Sequence, residues 1–386
     1  MIIRVLLVLA FGLAADPTAA AARPVLDWVV YDDATLDSYS VDTDAGDTAR
    51  HVAVPRDGAE GAKRVMLLIP SRSVEAYTLA VNTILQVFAR RQVPARFDIW
   101  YYDNDETVAL EALRWSYDQP VDLIMSAGSS ATSFLRAHHS GHAIPAVTSA
   151  SKDPIASGHL SDPSGSGTNI AYTSINVETG TLVAYLRRLI PDLNTIGLIY
   201  SENNDSAVLT QVNPLKAAAD RHGLTIIDVT VTERGSAEQE LEEGLPKALE
   251  RIRRLDPDFQ KSILLVTGST AAYERIAQIN RHAGRLPVVS MLPDIVRAGE
   301  ESALLSIGVN LTSALTLAAV YAVDVVTGDA RPGDLPVGTV APPDLAINFL
   351  IADRIGVKIP FSFLESSTFV YDREGRQVVA FGQRVF

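Results

Sequence analysis

The sequence predicts an α/β protein of two doubly wound, Rossmann-like lobes joined by a hinge, with extra β segments at the N- and C-terminal ends. Three observations carry this. At 386 residues the chain exceeds the roughly 250–300 residues at which a single core stops growing, so two lobes are expected. From Lys63 onward, short apolar β-type runs alternate with helical patterns, as in parallel sheets covered on both faces. The alternation breaks once, at the polar stretch Ser161-Asp162-Pro163-Ser164-Gly165-Ser166-Gly167, and then restarts, as where a chain leaves one packed unit.

Residues 1–22 carry an early Arg4, an apolar run from Val5 to Ala15 and the small-residue tract Ala19 to Ala22. This reads as a cleaved secretory signal peptide and is excluded from the fold. Asp16 and Pro17 end the run short of the roughly 20 apolar residues that a membrane anchor needs. Residues 23–64 form an Asp-rich N-terminal extension with two β-like pieces, Leu26–Tyr31 and His51–Val54. The first lobe then offers strands Arg64–Ile69, Arg96–Tyr101, Val121–Met125 and Ala143–Val147, separated by helices Glu75–Arg91, Glu106–Tyr117 and Ser130–His139. After the polar stretch, where the first hinge crossing is expected, come helix Glu178–Leu189, strand Thr195–Tyr200, helix Leu209–His222 and strand Thr225–Val231. Helix Ala237–Leu255, strand Ser262–Val266, helix Thr270–Ala283 and strand Pro287–Ser290 follow. Asn310–Thr327 is a further helix ending at Gly328; its apolar core of about 14 residues contains Asp324 and reads as a buried helix, not a membrane span. Thr368–Tyr371 and Gln377–Phe381 flank Asp372-Arg373-Glu374-Gly375-Arg376, the turn chemistry of a hairpin.

Composition excludes several functions. The formal net charge is −13, which argues against nucleic acid as a partner, because that affinity rests on Lys and Arg neutralising phosphates. The chain has no cysteine, so neither disulfides nor a lipid-modified cysteine are expected, and a free exported protein follows; a monomer is expected. His138, His139 and His142 lack an established zinc spacing and read as solvated surface; no metal and no cofactor are expected. No G-x-S-x-G elbow occurs, and Gly165-Ser166-Gly167 lacks the Lys of a phosphate loop, so no enzyme is expected.

In open α/β sheets, ligands sit beyond the carboxyl ends of the strands, where loops and helix N-termini present free N–H groups and hydroxyls. In the first lobe those loops hold Ser71, Ser73, Tyr77, Tyr102, Ser129, Ser130 and Asp153. Ser129 or Ser130 has the alternative role of capping the helix that follows. Asp153, before Pro154, has the alternative role of a turn carboxylate, and Tyr102 that of packing only. The second lobe offers Asn204 and Ser206, Ser269 and Thr270, and Asp294; a helix N-cap is the alternative in the Ser201–Ser206 loop. Tyr101, Tyr172 and Tyr273 also lie near the loop ends.

The segment from Ile144-Pro145-Ala146-Val147-Thr148-Ser149-Ala150 through Ser151-Lys152-Asp153-Pro154-Ile155-Ala156-Ser157-Gly158, followed by Gly167-Thr168-Asn169-Ile170, resembles a strand-and-crossover signature. That signature belongs to the substrate-binding proteins of ABC importers, a family with the type I periplasmic binding protein fold whose members include tryptophan- and tyrosine-binding lipoproteins. Asp344 to Ile355 and Ile359-Pro360 resemble the family's closing segment, and the likeness runs from about Arg64 to Phe363. It implies that Asn310–Thr327 recrosses to the first lobe, giving lobe 1 as 65–168 with 310–345 and lobe 2 as 169–309 with 346–386. It also implies an inner-membrane transporter as partner.

The departures from the family pattern bear on the ligand. Where the amino-acid binders usually carry an acid and an Asn, this chain has Gly268 and Ser269; Asp205 stands for an Asn, with Ser206 kept; and Arg72-Ser73-Val74-Glu75-Ala76 replaces a His-Pro-containing piece. An ammonium buried without an acceptor costs several kcal/mol, on the order of what a lost hydrogen-bonded partner costs. A zwitterionic amino acid is therefore disfavoured, and an apolar or lipid-like small molecule is expected, with an aromatic amino acid as the other option. The expected function is a periplasmic solute-binding protein that delivers its ligand to a membrane transporter. The alternatives are a periplasmic lipid or sterol carrier for a non-ABC transporter and a ligand-sensing module for a signalling receptor.

Overall fold

The computed structural model describes residues 23–72, 74–232 and 235–385. The secretory-signal reading of residues 1–22 and the contact expected of Ser73 lie outside the described residues.

The first lobe contains, in chain order, α1 (Asp33–Ser38), β1 (Tyr39–Asp42), β2 (Arg50–Pro55), β3 (Lys63–Ile69), α2 (Val74–Arg90), β4 (Ala95–Tyr101), α3 (Glu106–Asp118), β5 (Leu123–Ala127), α4 (Ser129–His138), β6 (Ala146–Ser149) and β7 (Ile170–Ala171). Its strands lie in the order β1-β2-β4-β3-β5-β6-β7. From β4 to β7 they run parallel, and β1 and β2 close the β4 edge antiparallel. Side chains alternate between the two faces, as the period of two requires. Val65, Leu67 and Ile69 pack under α2, while Met66 and Leu68 pack with Trp100 and Ile124 under α3 and α4. The buried Asp98 on β4 accepts from Arg64 Nε at 2.9 Å and lies 3.5 Å from Arg50 Nη1 of β2, so the N-terminal strands are tied into the sheet by charge as well as by pairing.

Next come β8 (Thr173–Ser174), α5 (Thr179–Leu189), β9 (Thr195–Ser201), α6 (Asp205–Ala207), α7 (Asn213–Ala219), β10 (Thr225–Val231), α8 (Ala237–Leu255), β11 (Ser262–Val266), α9 (Thr270–Tyr273), α10 (Ile276–Ala283), β12 (Val288–Ser290) and β13 (Leu305–Gly308). The chain ends with α11 (Leu311–Thr327), β14 (Gly338–Thr339), β15 (Asp344–Asn348), α12 (Phe349–Ile355), α13 (Phe361–Glu365), β16 (Phe369–Tyr371), β17 (Gln377–Ala380) and β18 (Gln383–Arg384). The second sheet has the order β10-β9-β11-β12-β13-β15-β16-β17-β18, parallel from β10 to β13, with β15 antiparallel to β13. Helix Leu209–His222 of the sequence reading is instead a π turn at Val208–Val212, then α7, then a 3-10 turn ended by Gly223 at φ 59°. Thr270–Ala283 is two helices, interrupted at Arg275.

The crossings between lobes differ from the expected boundaries. β7 pairs with β6, so Ile170 and Ala171 belong to the first sheet and not, as expected from residue 169 on, to the second. The polar stretch at 161–167 is held to the first lobe by the Gly167 N–H on the Gly333 carbonyl, and the chain crosses after β8 instead. β8 and β14 form a two-stranded hinge ladder of their own. Gly308 marks a second crossing: a Cβ there would lie 2.4 Å from the Met291 carbonyl oxygen, so only glycine permits that approach. α11 then buries Leu315, Ala319 and Ala322 in the first lobe's core. Asp344 and Leu345 already pair in the second sheet, two residues before the expected return at 346.

The expected strand at Leu26–Tyr31 is not formed; Leu26 is nonetheless fully buried, bonded through its N–H to the Thr48 carbonyl. The hairpin around Asp372–Arg376 is formed, with β16 laid against β15 and β17 beyond it.

Candidate functional site

The facing loops of the two lobes touch at the carboxyl ends of their parallel strands. Ser206, at the start of the helical run after β9, donates through Oγ to Ser129 Oγ across the cleft at 3.3 Å. Ser129 Oγ also accepts from the Lys152 N–H at 3.1 Å. Lys152 itself, in the loop after β6, reaches across the lobes: its Nζ lies 3.5 Å from the Gly268 carbonyl oxygen in the loop after β11. Burial strips water from this ammonium and pulls its pKa down to about 8, with no carboxylate countering that shift.

The first-lobe wall is fixed by its backbone. Ala150 sits at φ 50°, a left-handed conformation uncommon for a residue with a Cβ. The segment around it is held by Ser149 Oγ on the Ser126 carbonyl (2.7 Å) and by the Ile175 N–H on the Ser151 carbonyl (2.9 Å). Gly128, at φ 92°, lies under Tyr77, whose hydroxyl would be 2.5 Å from any Cβ at that position. Burial pushes the pKa of that hydroxyl up, and the neighbouring Ser71 pulls the other way. Tyr102 is buried against Phe134, and burial first and Tyr77 second push its hydroxyl upward.

On the second-lobe wall, the Gln211 Oε1 accepts from the Gly268 N–H at 2.8 Å, and its amide atoms lie 3.3 Å from where a Cβ at Gly268 would be. A glutamine amide from the π turn thus stands beside the position where the sequence comparison lacked an acid. Asn176 in the hinge donates to the Thr210 carbonyl at 2.9 Å, while its Oδ1 is buried with no hydrogen-bond partner. Asn176, Thr210 and Gln211 line a small pocket with Leu182, Met291 and Ile307.

Some of the expected residues lie in this contact zone, and others make local hydrogen bonds or stand at its margins. Ser129 and Ser206 meet directly, and Ser71, Tyr77 and Tyr102 form the wall behind Ser129. Ser130 is exposed, and neither it nor Ser129 caps α4 with its side chain. Asp153 Oδ1 accepts from the N–H groups of Ile155 (2.8 Å) and Ala156 (3.3 Å), so it is a turn carboxylate. Asn204 is the N-cap, accepting from the Ala207 N–H at 3.0 Å. Ser269 is fully buried, accepting from Thr267 Oγ1 at 3.0 Å, and Thr270 opens α9 half-buried. Asp294 is exposed in the wall after β12; crowding by protein, and then the charges of Asp344 and Glu75, raise its pKa against the pull of its backbone N–H and Arg297.

Tyr101 and Tyr172 are core residues, Tyr101 edge-on to Trp28 at 5.3 Å between ring centroids, and Tyr273 packs against the second lobe's core. His139 is not solvated, as had been expected of the histidine cluster: it is 1 % exposed. It bonds to Tyr117 Oη at 3.0 Å and the Ile144 carbonyl at 2.9 Å, and burial pulls its pKa down to about 4. Among the described residues no group of three or more His, Asp or Glu is placed to hold a metal ion, and no helix is long and apolar enough to cross a membrane. Sequence reasoning missed Lys152, Gln211 and Asn176; for Lys152 a signal was present, a lone cation in a hydroxyl-rich loop at a strand's carboxyl end.

A family model described as ABC transporter substrate binding protein matches residues 101–370. No curated protein matches the chain. Among solved structures, the chain is similar to an ABC domain from Streptococcus pneumoniae in complex with L-Trp, at 20% identity and TM-score 0.61, over 80% of this chain and 99% of that one. It is also similar to a conserved domain protein from Vibrio cholerae (18% identity, TM-score 0.60, 80% and 99% covered). A third is the ligand-free, open structure of a substrate-binding protein with adhesive properties from Clostridium difficile (19% identity, TM-score 0.59, 78% and 96% covered).

Proposed function

Because the chain belongs to the ABC transporter substrate-binding protein family, we propose that it captures a small solute between its lobes, outside the cytoplasmic membrane, and presents it to an inner-membrane transporter. The observation that carries this reading is the contact of the two loop sets, Ser129 with Ser206 and Lys152 with Gly268, at the carboxyl ends of both sheets. A solute touching both walls makes all its contacts only when the lobes are together, so it favours the closed state by its differential affinity. The transporter then reads the lobe faces around the closed cleft.

The solute is proposed to have more apolar bulk than a free amino acid and to lack an ammonium group. Two features support the lack of an ammonium: Gly268 supplies no acid, and a ligand ammonium beside Gly268 would meet the Lys152 ammonium. The test is thermal unfolding with saturating tryptophan, tyrosine and phenylalanine, and separately with neutral and acidic aromatic compounds. A solute at about 100 times its dissociation constant adds roughly 2.7 kcal/mol. Equal stabilisation by the free amino acids would refute the exclusion of the ammonium.

A further inference from the structure

Resting on the solute-binding reading, we infer that the solute carries a single carboxylate, gripped by the Lys152 ammonium where the two lobes meet.

The first step is the valence of the ammonium. Lys152 has three donors, and among the described residues one acceptor is present, the Gly268 carbonyl oxygen at 3.5 Å, the outer limit of a hydrogen bond. Its nearest carboxylate in sequence, Asp153, is committed to the N–H groups of Ile155 and Ala156. What faces Lys152 is neutral: the Gly268 carbonyl, with Gln211 on that residue's N–H, and the Ser129 hydroxyl on its own N–H.

The second step is the direction of the side chain. A surface lysine places its apolar stem on protein and its charge in water. Lys152, half-buried, instead turns its Nζ to the opposite lobe, at the Gly268 carbonyl, on a loop held by Ala150, Ser151 and Ser129. An ammonium desolvated without a counter-charge is costly; an anion in the cleft would remove that cost and turn it into affinity, in a charge-assisted hydrogen bond. The third step is the charge of the partner. One lysine matches one negative charge, and a chain with net charge −13 repels polyanions. The arrangement inverts the acid-and-ammonium pairing that the Gly268 position would serve if it held a carboxylate: here the protein supplies the ammonium and the solute the acid.

The experiment uses the full chain, wild type with Lys152→Met and Lys152→Arg, in thermal unfolding and calorimetric titration at pH 7. The probes are 3-phenylpropionate, its amide and its amine, extended to other acid, amide and amine triplets of the same design. Expected is binding of acids at least tenfold tighter than of their amides, none of the amines, loss of the difference in Lys152→Met and its retention in Lys152→Arg. Without any probe, Lys152→Met should unfold at a higher temperature than wild type, because an unpaired buried charge has been removed. A lower unfolding temperature for Lys152→Met would show that the lysine already has its partner and would overturn the inference. Binding of amides or amines as tight as that of acids would overturn it too, while leaving solute binding in place. No stabilisation by any member of any triplet would overturn both.

Discussion

The two walls of the cleft occupy equivalent places, loops at the carboxyl ends of parallel strands, yet they differ in what they offer. The first-lobe wall carries a charge, Lys152, on a backbone held in a left-handed turn at Ala150, and stacks Ser71, Tyr77 and Gly128 tightly behind Ser129. The second-lobe wall is neutral, with the Gln211 amide folded closely over Gly268. A rigid charged wall facing an adaptable neutral one separates two tasks. Under the proposed function, orientation of the solute falls to the first lobe and completion of closure to the second.

The largest test of that asymmetry is the pH dependence of stability. The Lys152 pKa is lower in the folded chain, about 8, than the ordinary lysine value of 10.5. Between these two values the unfolded chain binds more protons than the folded one, so stability rises with pH across that window. Below about pH 8 the penalty is fully present, on the order of 3 kcal/mol at most. Urea unfolding of wild type and Lys152→Met from pH 7 to 10.5 should show the variant more stable at pH 7 and the gap closing as pH rises. A constant gap would mean that the lysine is paired. Next in size is Gly128→Ala, which places a methyl group 2.5 Å from the Tyr77 hydroxyl at φ 92°. It should cost about 1–3 kcal/mol in the same assay.

The sequence makes the sheets legible and the walls only partly so. Central strands such as Lys63–Ile69 are apolar and buried from Val65 on, so their positions follow from burial on both faces. Lobe membership of short pieces does not: Ile170-Ala171 has two residues, and only pairing with β6 assigns it. The break between the π turn and α7 has a signal in Pro214, at the first turn of α7, whereas the π turn itself carries neither Pro nor Gly. At the site, Ser129 and Ser206 follow from their place after strands, whereas Asn204 and Asp153 have side chains equally suited to cap a helix or a turn, and do so. For Lys152 the signal, a lone cation in a hydroxyl-rich loop, is outweighed by the ordinary habit of a loop lysine, which points to water; its approach to Gly268 of the second lobe appears only in the structure.

Smaller effects probe the neutral wall. Gly268→Asp adds a carboxylate to the residue whose carbonyl Lys152 approaches, and Gln211 must shift by a few tenths of an ångström to admit it. It should stabilise the solute-free protein by about 1 kcal/mol through a charge-assisted bond between the lobes. It should also weaken acid binding, because the protein then satisfies its own ammonium; unchanged affinity for 3-phenylpropionate would separate Lys152 from the ligand. Ser206→Ala removes only the 3.3 Å hydroxyl contact with Ser129, a long, neutral bond worth about 0.5 kcal/mol. Global stability should barely move, since each lobe keeps its core. What should change is the balance between open and closed lobes, visible as a larger radius of gyration in solution scattering without ligand, and as a roughly twofold weaker solute affinity. A loss as large as that from Lys152→Met would mean that closure depends on the hydroxyls, and the two walls would then be equal partners.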